Sequence, residues 1–350
     1  MSSASGLRGL LTPLTPLYRF SLAWRERRLA SGREPIRRLR YPVISIGNLS
    51  TGGAGKTPLT IALAKALTNC GLAVDVLSRG YKRQSTLAAR VDPGGTADEF
   101  GDEPLLIARQ AGVPVYVAPQ RYDAGLMAES SSDYPAPAPP KAESAPPQVA
   151  QVVHILDDGF QHRQLHRDID ILLLNGADWR DRLLPAGNLR EDRSAATRAD
   201  IIAIPTNEKE LESELRAWGW NGPIWRLHRS MEVPPAEGSV LAFCGIARPE
   251  QFFAGIAGAG VHLAGRGVFP DHHRYTARDL DRLADQARTA GAATLLTTEK
   301  DEVRLAGLRS PLPIATVHLR TQIENETAAL DWIVSRLKLT RGEQRVGETR

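Results

Sequence analysis

A glycine-rich turn in the first fifth of the chain has the residue types that wrap a polyphosphate. The segment 47–58 reads GNLSTGGAGKTP and lies between an apolar run and a helix-like run. Main-chain N–H groups can approach phosphate oxygens where side chains are absent, and a helix that follows points its positive end at them. Lys56 is expected to reach the β- and γ-phosphates of a nucleotide, and the Thr57 hydroxyl to ligate Mg²⁺. The residues predicted to bind the nucleotide are Ser50, Thr51, Gly52, Gly53, Ala54, Gly55, Lys56 and Thr57.

Two adjacent carboxylates supply the acidic partner that such a metal needs. They close the segment VVHILDD, in which an apolar run ends at Asp157 and Asp158. The carboxyl ends of parallel strands meet at one edge of a sheet, so both acids are expected beside the glycine-rich turn. The pattern predicts that one of them binds magnesium without deciding which, and a polar turn after a strand is the alternative interpretation.

Three further polar clusters follow strands or open helices. Asp102 and Glu103 begin a helix-like stretch, where acids also simply favour the helix N-terminus. The segment 271–273 reads DHH, which is also found in metal-dependent phosphoesterases, but the other motifs of that class are missing and surface histidines are the alternative. The segment 298–301 reads TEKD and resembles the guanine-reading N-K-x-D of GTPases, but Lys300 is one place late. The pattern therefore does not indicate GTP.

Short apolar runs that alternate with helix-like stretches must position these residues. Such alternation is typical of an α/β fold with a mostly parallel sheet and helices on both faces. A second alternating set over 239–339 predicts a smaller α/β domain, in which Thr276 caps a helix. The strands predicted for the first domain cover 42–48, 72–78, 114–118, 151–158, 168–175, 199–206 and 223–229.

The domain boundaries follow from these patterns and from composition. Residues 41–232 are predicted to form the nucleotide-binding domain and residues 233–340 the smaller one. The stretch 130–149 is rich in Pro, Ala and Ser and is predicted to be a disordered insertion without chemistry. Residues 341–350 are predicted to be a frayed tail.

Residues 1–40 are set apart by their charge. They hold nine arginines and two glutamates, a net charge of +7, whereas the whole chain carries +4 and the remainder therefore −3. The segment 10–29 mixes arginines with Leu, Tyr, Phe and Trp, which fits a basic amphipathic helix in a membrane interface. The alternative is a helix packed on the domain with its charged face in water.

The cysteine content and the distribution of apolar residues indicate in which cellular compartment the protein is expected. Cys70 and Cys244 form no zinc or disulfide pattern, which fits a reducing environment. No apolar run approaches the ~20 residues that span a bilayer, and the N-terminus does not read as a cleaved signal peptide. We therefore expect a cytoplasmic protein that can attach to a membrane surface.

The motifs taken together resemble a known family. The segments GNLSTGGAGKTP, SRGYKR, GDEP, DDGFQHR, LLPAGNLRE, FCGIARPEQF, FPDHHRYT and TTEKD occur in the order seen in the tetraacyldisaccharide 4'-kinases, the lipid A 4'-kinases. The resemblance covers about residues 10–305. The family's S-x-G-G-x-G-K-T form also accounts for Ser50, which stands where a strict P-loop has its first glycine. The resemblance implies a RecA-like P-loop domain, a smaller α/β domain and a site in the cleft between them.

Residue roles follow from the same resemblance. It implies that Asp102 accepts the proton of the acceptor hydroxyl with His272 as its partner, and His273 is the alternative partner. Arg190 matches a basic position near the reacting phosphate. The positions that match acids around the metal and the nucleotide are Glu103, Asp157 and Asp158.

The implied reaction transfers the γ-phosphate of ATP, with Mg²⁺, to the 4'-hydroxyl of tetraacyldisaccharide 1-phosphate, a lipid A precursor. The implied location is the cytoplasmic face of the bacterial inner membrane, with peripheral contact to its anionic surface and no nucleic acid as partner. The oligomeric state stays open, with a monomer favoured.

One competing class is a P-loop switch protein, a GTPase or metallochaperone, which predicts a guanine motif and no acceptor base. Another is a cytosolic small-molecule kinase, a function that would not explain the aromatic and basic N-terminal segment.

Overall fold

The structure, a computed structural model, describes residues 11–131, 152–236 and 238–347, with only the backbone described from residue 338 on. Twelve strands form one sheet. The strands are β1 (Val43–Asn48), β2 (Ala73–Ser78), β3 (Ala89–Arg90), β4 (Val115–Val117), β5 (Val152–Asp157), β6 (Ile169–Leu173), β7 (Ile201–Pro205), β8 (Ile224–Glu232), β9 (Val240–Cys244), β10 (Leu263–Val268), β11 (Thr294–Thr298) and β12 (Ile314–Ile323). Their order across the sheet is β10-β9-β11-β12-β8-β7-β6-β1-β5-β2-β4-β3.

Helices connect most of these strands. They are α1 (Thr15–Ala30), α2 (Lys56–Asn69), α3 (Ala97–Phe100), α4 (Asp102–Ala111), α5 (Arg121–Glu129), α6 (Gly176–Trp179), α7 (Lys209–Ala217), α8 (Pro249–Gly258), α9 (Ala277–Thr289), α10 (Glu299–Arg304) and α11 (Glu326–Gly347). Short 3-10 helices cover Thr12–Leu14 and Arg193–Arg198. The predicted cap is confirmed, because the Thr276 hydroxyl accepts a hydrogen bond from the amide of Asp279 at 3.3 Å.

Side chains on β6 and on the residue that follows it show that both faces of the sheet are covered. Ile171 and Leu173 pack in the core on one face, whereas Leu172 and Leu174 pack with Trp179 on the other. Side chains alternate along a strand, so this division requires burial on both faces. The predicted α/β fold with a mostly parallel sheet is confirmed. The antiparallel pairs in the described sheet are β3 with β4 and β8 with β12.

One long strand joins the two halves of the sheet. The first part of β12 pairs in parallel with β11, and its second part pairs antiparallel with β8. Helix α11 then returns to the first half, where Leu330, Ile333 and Leu337 pack in the same core as Ile44. The proposed boundary at 232/233 coincides with the end of β8, but α11 packs with the P-loop half rather than with the smaller one.

Three other features differ from the sequence-based expectations or lie beyond them. Strand β10 (sequence LAGRGV) was not predicted, because it lacks an apolar alternation. Helix α11 continues to Gly347, past the point where a frayed tail was expected, and its last residues include the helix formers Arg341, Glu343 and Gln344. The insertion predicted at 130–149 lies outside the described residues from residue 132 onward.

Candidate active site

The glycine-rich turn joins β1 to α2 with the geometry of a P-loop. Gly52 and Gly55 have φ angles of 112° and 89°, a region that glycine adopts without steric cost. A Cβ added at Gly52 or Gly53 would meet no described atom within 4 Å. The turn therefore presents open main chain at the carboxyl edge of the sheet, as the sequence predicted.

Lys56 is held at that edge by two side chains. Its Nζ donates a hydrogen bond to Oδ1 of Asn48 at 2.9 Å and lies 3.3 Å from Oδ1 of Asp158. The Lys56 side chain is only 9% exposed. The ammonium group thus lies between the carboxyl ends of β1 and β5, where a bound polyphosphate would need a counter-charge.

The pKa values of the two acids at the end of β5 shift in opposite directions. Burial raises the pKa of Asp157 to about 7, and the nearby carboxylates of Glu103 and Asp158 act in the same direction. Burial also disfavours the charged form of Asp158, but Lys56 and Arg190 outweigh it and lower the pKa of Asp158. Asp158 has a φ of 48°, a conformation that is rare outside glycine and is enriched at functional sites.

Two arginines meet at Asp158. Nη1 of Arg190 donates hydrogen bonds to both carboxylate oxygens of Asp158, at 3.2 and 3.1 Å, and to Oε1 of Gln161 at 3.3 Å. Arg121, the first residue of α5, is 8% exposed and donates to the main-chain carbonyl of Asp158 at 3.4 Å. Burial lowers the pKa of Arg121 to about 10. Arg190 was expected here from the family resemblance, whereas Arg121 belongs to no recognised motif and was not predicted.

Asp102 and His272 meet although 170 residues separate them. Asp102 opens α4, and His272 follows β10 with a φ of 61°. Nδ1 of His272 lies 2.7 Å from Oδ2 of Asp102. His273 instead contacts Asp279 at 3.2 Å and stacks on Phe269, 4.6 Å between ring centroids. Of the two histidines, His272 is therefore the one that contacts Asp102.

Helix α10 adds two cations to the site that no sequence motif predicted. Arg304 donates from Nε to Oδ2 of Asp102 at 2.7 Å, and Nζ of Lys300 lies 2.5 Å from Oε1 of Glu103. Lys300 lies in the segment 298–301 that resembles a guanine motif, and Arg304 follows four residues later, outside that segment. A helix with a period of 3.6 residues puts positions four apart on one face, which is the signal that could have pointed to this pair.

Electrostatic interactions connect the start of α4 with the P-loop and with the end of β5. Glu103 follows Asp102 in the chain, and Lys300 lowers its pKa most, with Lys56 acting in the same direction. The charge of Glu103 in turn contributes to the raised pKa of Asp157. Helix α4 also packs in the same core as α2, the helix that follows the P-loop, so these charges belong to neighbouring elements.

Hydrogen bonds with residues outside the P-loop hold the P-loop in place. The Ser50 hydroxyl donates to Oδ2 of Asp178 at 2.8 Å, and Arg248 from the smaller half donates to Oδ1 of the same carboxylate at 3.1 Å. Arg229 of β8 donates to the main-chain carbonyl of Ala54 at 2.5 Å. Ser50 thus acts through its side chain, which a glycine at this place could not do.

Helix α1 lies against the segment that carries Arg190. Arg25 pairs with the buried Glu191 at 3.5 Å, and Tyr18 and Leu22 pack on the core that contains Leu189. On the side of the helix that faces solvent, Leu17 is 69%, Phe20 65% and Trp24 55% exposed, and Arg19 and Arg27 are exposed as well. The helix thus packs on the domain, as in the alternative interpretation, but apolar side chains are exposed beside its arginines, and contact with a membrane stays a prediction. Among the described residues, no helix has both the length and the apolarity to cross a bilayer.

The donors for a magnesium ion fit the way P-loop proteins bind it. Within the described ranges, no cluster of three or more His, Cys, Asp or Glu side chains could hold a metal by itself. Magnesium commonly takes one or two protein oxygens, several waters and the phosphates of the nucleotide. Thr57 follows Lys56 in α2, and Thr60 of the same helix donates to Oδ1 of Asp157 at 3.1 Å. The Thr57 hydroxyl and the carboxylates after β5 are therefore suitable donors on neighbouring elements.

Comparisons with known proteins give one consistent result. A family model described as LpxK, tetraacyldisaccharide-1-P 4'-kinase, matches residues 7–338. The tetraacyldisaccharide 4'-kinase of Koribacter versatilis (strain Ellin345) is 37% identical over 344 residues, which cover 95% of this chain and 100% of the relative. The protein of the same name from Anaeromyxobacter sp. (strain Fw109-5) is 38% identical, with 89% and 87% covered. A crystal structure of Aquifex aeolicus LpxK in complex with ATP is similar with a TM-score of 0.72 and 32% identity, over 95% of this chain and 99% of that one.

Proposed function

The chain belongs to the tetraacyldisaccharide-1-P 4'-kinase family, and on that premise we propose that it transfers the γ-phosphate of ATP to the 4'-hydroxyl of tetraacyldisaccharide 1-phosphate, a lipid A precursor. The observation that carries this proposal is the Asp102–His272 contact beside a P-loop. A nucleotide site alone fits many classes of protein. A carboxylate–imidazole pair facing that site supplies the acceptor chemistry that a nucleotide switch does not need.

The P-loop half is proposed to bind and neutralise the phosphates. Phosphoryl transfer needs alignment and charge stabilisation more than covalent help from the protein. The open main chain of the residues 50–57 would cradle the polyphosphate, with Lys56 on the β- and γ-phosphates. Arg190 lies within hydrogen-bonding distance of the same carboxylate that contacts Lys56, which supports a role at the transferred group.

Mg²⁺ is proposed to be held by Thr57 and by one of Asp157 and Asp158. When bound, the ion would supply positive charge to the phosphate oxygens of ATP. Glu103, the remaining acid that the family resemblance connects with the metal, is engaged by Lys300, so we propose that it shapes the local charge from the side of α4.

Asp102 is proposed to accept the proton of the 4'-hydroxyl. His272 touches one of its oxygens and orients the carboxylate. The pair combines one residue from the P-loop half with one from the smaller half, so the acceptor site is complete only when both halves are in contact. That requirement would limit transfer of phosphate to water. A single chain supplies every residue of the proposed site, which supports a monomer as the working unit.

Helix α1 is proposed to touch the cytoplasmic face of the bacterial inner membrane. Its solvent-exposed apolar side chains would enter the headgroup region, and the arginines around it would meet anionic lipids. An acylated sugar phosphate resides in such a surface. The contact of α1 with the segment around Arg190 would bring the phosphate site to the membrane.

The proposal is tested by incubating the purified protein with radiolabelled ATP, magnesium and the acylated disaccharide 1-phosphate in detergent or vesicles. We expect label in the lipid fraction, released by a phosphatase and absent without the acceptor. A P-loop switch protein would instead hydrolyse ATP, or exchange nucleotide, at a rate that the lipid does not change. Absence of labelled lipid together with such hydrolysis would reject the kinase assignment in favour of the switch.

A further inference from the structure

We infer that Arg304 is a positioning residue that, together with His272, fixes one oxygen of Asp102 and reserves the other oxygen for the acceptor hydroxyl. Nε and Nη2 of Arg304 lie 2.7 and 2.6 Å from Oδ2 of Asp102, and Nδ1 of His272 lies 2.7 Å from the same atom. Oδ1 of Asp102 accepts no hydrogen bond from the residues that the structure describes. This inference rests on the proposed function and assigns a role within it.

Arg304 is itself held in place. Its side chain is 4% exposed, and Nη1 donates to the main-chain carbonyl of Gly245 at 2.8 Å and to Oδ1 of Asp301 at 2.9 Å. Asp301 in turn accepts hydrogen bonds from Tyr275 at 2.9 Å and from Thr298 at 2.6 Å. The guanidinium group is therefore part of a buried network of the smaller half, and it projects a rigid two-point donor towards the P-loop half.

The geometry has a direct consequence for proton transfer. A carboxylate is free to rotate about its Cβ–Cγ bond unless its oxygens are held. Oδ2 is held by hydrogen bonds with Nε of Arg304 and Nδ1 of His272 and by the ion pair with Nη2 of Arg304, which also lies 3.3 Å from Nδ1 of His272. Rotation of the carboxylate would break these contacts. Oδ1 is then the one carboxylate oxygen that can receive the proton from the 4'-hydroxyl as its oxygen attacks phosphorus. The proton moves from the hydroxyl to Oδ1, the hydroxyl oxygen bonds to the γ-phosphorus of ATP, and the bond from that phosphorus to the β,γ-bridging oxygen breaks, so that ADP leaves.

The contact also crosses between the two halves of the chain. Asp102 opens α4 in the P-loop half, whereas Arg304 ends α10 in the smaller half. An ordinary salt bridge between halves would contribute to stability alone. A positioning residue predicts instead a loss that depends on Asp102, because its effect passes through that carboxylate.

The experiment compares Arg304→Lys and Arg304→Ala with the full-length wild-type protein in the lipid kinase assay. Lysine keeps the charge but offers no planar fork, so we expect kcat to fall at least about tenfold while KM for ATP and for the lipid changes less than about threefold. We expect added guanidinium ion to restore at least about fivefold of the activity that Arg304→Ala loses. In an Asp102→Asn background, Arg304→Ala should change the residual rate less than about twofold.

A second ion pair between the halves is the matched control. Arg274 lies 2.9 Å from Asp98, and both side chains are about half exposed or more, at 68% and 49%. Arg274→Ala should leave kcat within about twofold of wild type, because an exposed pair contributes little.

Several outcomes would overturn the inference. They are an Arg304→Lys enzyme with normal kcat, a loss confined to KM, or an Arg304→Ala loss of the same size with and without Asp102. If Arg304→Ala does not fold, as judged by circular dichroism, Arg304→Lys decides the question. A wild-type protein that transfers no phosphate to the lipid would reject the proposed function and this inference together, whereas an active wild type with active Arg304 variants would reject the inference alone.

Discussion

Tyr18 donates a hydrogen bond from its hydroxyl group to the main-chain carbonyl of Arg190 at 2.9 Å, across 172 residues of sequence. Arg190 in turn contacts the carboxylate of Asp158 beside Lys56. A chain of direct contacts thus joins α1, which carries exposed apolar side chains, to the proposed phosphate site. Membrane attachment through α1 would hold the site at a fixed height above the lipid surface.

Replacing the exposed apolar side chains Leu17, Phe20 and Trp24 together with serine should reduce binding to anionic vesicles at least about tenfold, because their transfer into the headgroup region would be lost. Stability should change little, since these side chains are already in solvent. Vesicle co-sedimentation measures the binding. Leu126→Ser, at an exposed site on α5, is the control and should bind vesicles as wild type does. Equal binding by the triple variant would reject α1 as the membrane contact.

Lys56→Ala should lower kcat at least about 100-fold, because no other cation would replace its charge at the β- and γ-phosphates. Lys65→Ala, at an exposed position of the same helix, should leave kcat within about twofold. Steady-state kinetics with saturating ATP and lipid measure both variants, and circular dichroism checks their folding. A folded Lys56→Ala protein with near-normal turnover would contradict the P-loop assignment.

The two neighbouring histidines should respond differently to substitution. His272→Ala should lower kcat at least about tenfold, and Asp102→Ala at least about 100-fold, because both act on the acceptor proton. His273→Ala should mainly lower the melting temperature, since His273 contacts Asp279 and stacks on Phe269. Kinetics and thermal unfolding of each variant separate the two effects. A reversed result, with His273 critical for turnover, would favour the alternative that the sequence left open.

The fold was predictable where one local pattern decides an element. Strands β1 and β5 are each six residues long, with mostly apolar side chains, and are buried throughout. Strand β10 has no such pattern, because Gly265 and Gly267 approach Leu241 and Leu283 so closely that a Cβ would lie 3.1 and 2.8 Å from those side chains. Only the tertiary neighbours explain why glycine occupies a strand there.

The site was predictable where its residues are contiguous in sequence. The P-loop and the acids after β5 each form a short motif with a physical reason for its spacing. Arg121 and Arg304 come from separate helices, and a single arginine on a helix gives no local signal that it will meet a distant carboxylate. The packing of α11 was missed for a similar reason, because its apolar stripe indicates burial but not which core it joins.

Two glycines near the nucleotide should tolerate alanine in opposite ways. A Cβ at Gly47 would lie 2.5 Å from Cβ and 2.8 Å from the amide nitrogen of Phe160, so Gly47→Ala should lower the free energy of unfolding by about 1–3 kcal/mol. Gly53→Ala meets no described atom and should leave stability unchanged, but its methyl group would occupy space that phosphate needs and should weaken ATP binding at least about tenfold. Urea unfolding and nucleotide titration measure the two effects. Tight ATP binding by Gly53→Ala would count against the proposed cradle.

A buried histidine at the opposite end of β5 from the site should make stability depend on pH. Nδ1 of His154 lies 2.9 Å from both oxygens of Asp75, and Nε2 lies 3.3 Å from Oε1 of Glu129, which also accepts the amides of Arg40 and Tyr41. Burial opposes the charged imidazole, but the two carboxylates outweigh it and raise the pKa of His154 to about 9. Through Glu129, these contacts connect the segment before β1 to strands β2 and β5, and a protonated ring would strengthen them.

The sign of this dependence follows from the two states of His154. Its pKa is about 9 in the folded protein and near 6.5 when unfolded, so its contribution to stability is complete below about pH 6.5 and is lost as the pH rises through about 9. The slope of the unfolding free energy against pH in this window is at most about 1.4 kcal/mol per unit for one proton. His154→Gln cannot take up this proton, so its unfolding free energy should fall less steeply over the same range in urea titrations. Parallel slopes for the two proteins would mean that His154 is already neutral at pH 6.5 and that the two carboxylates do not hold a charged ring.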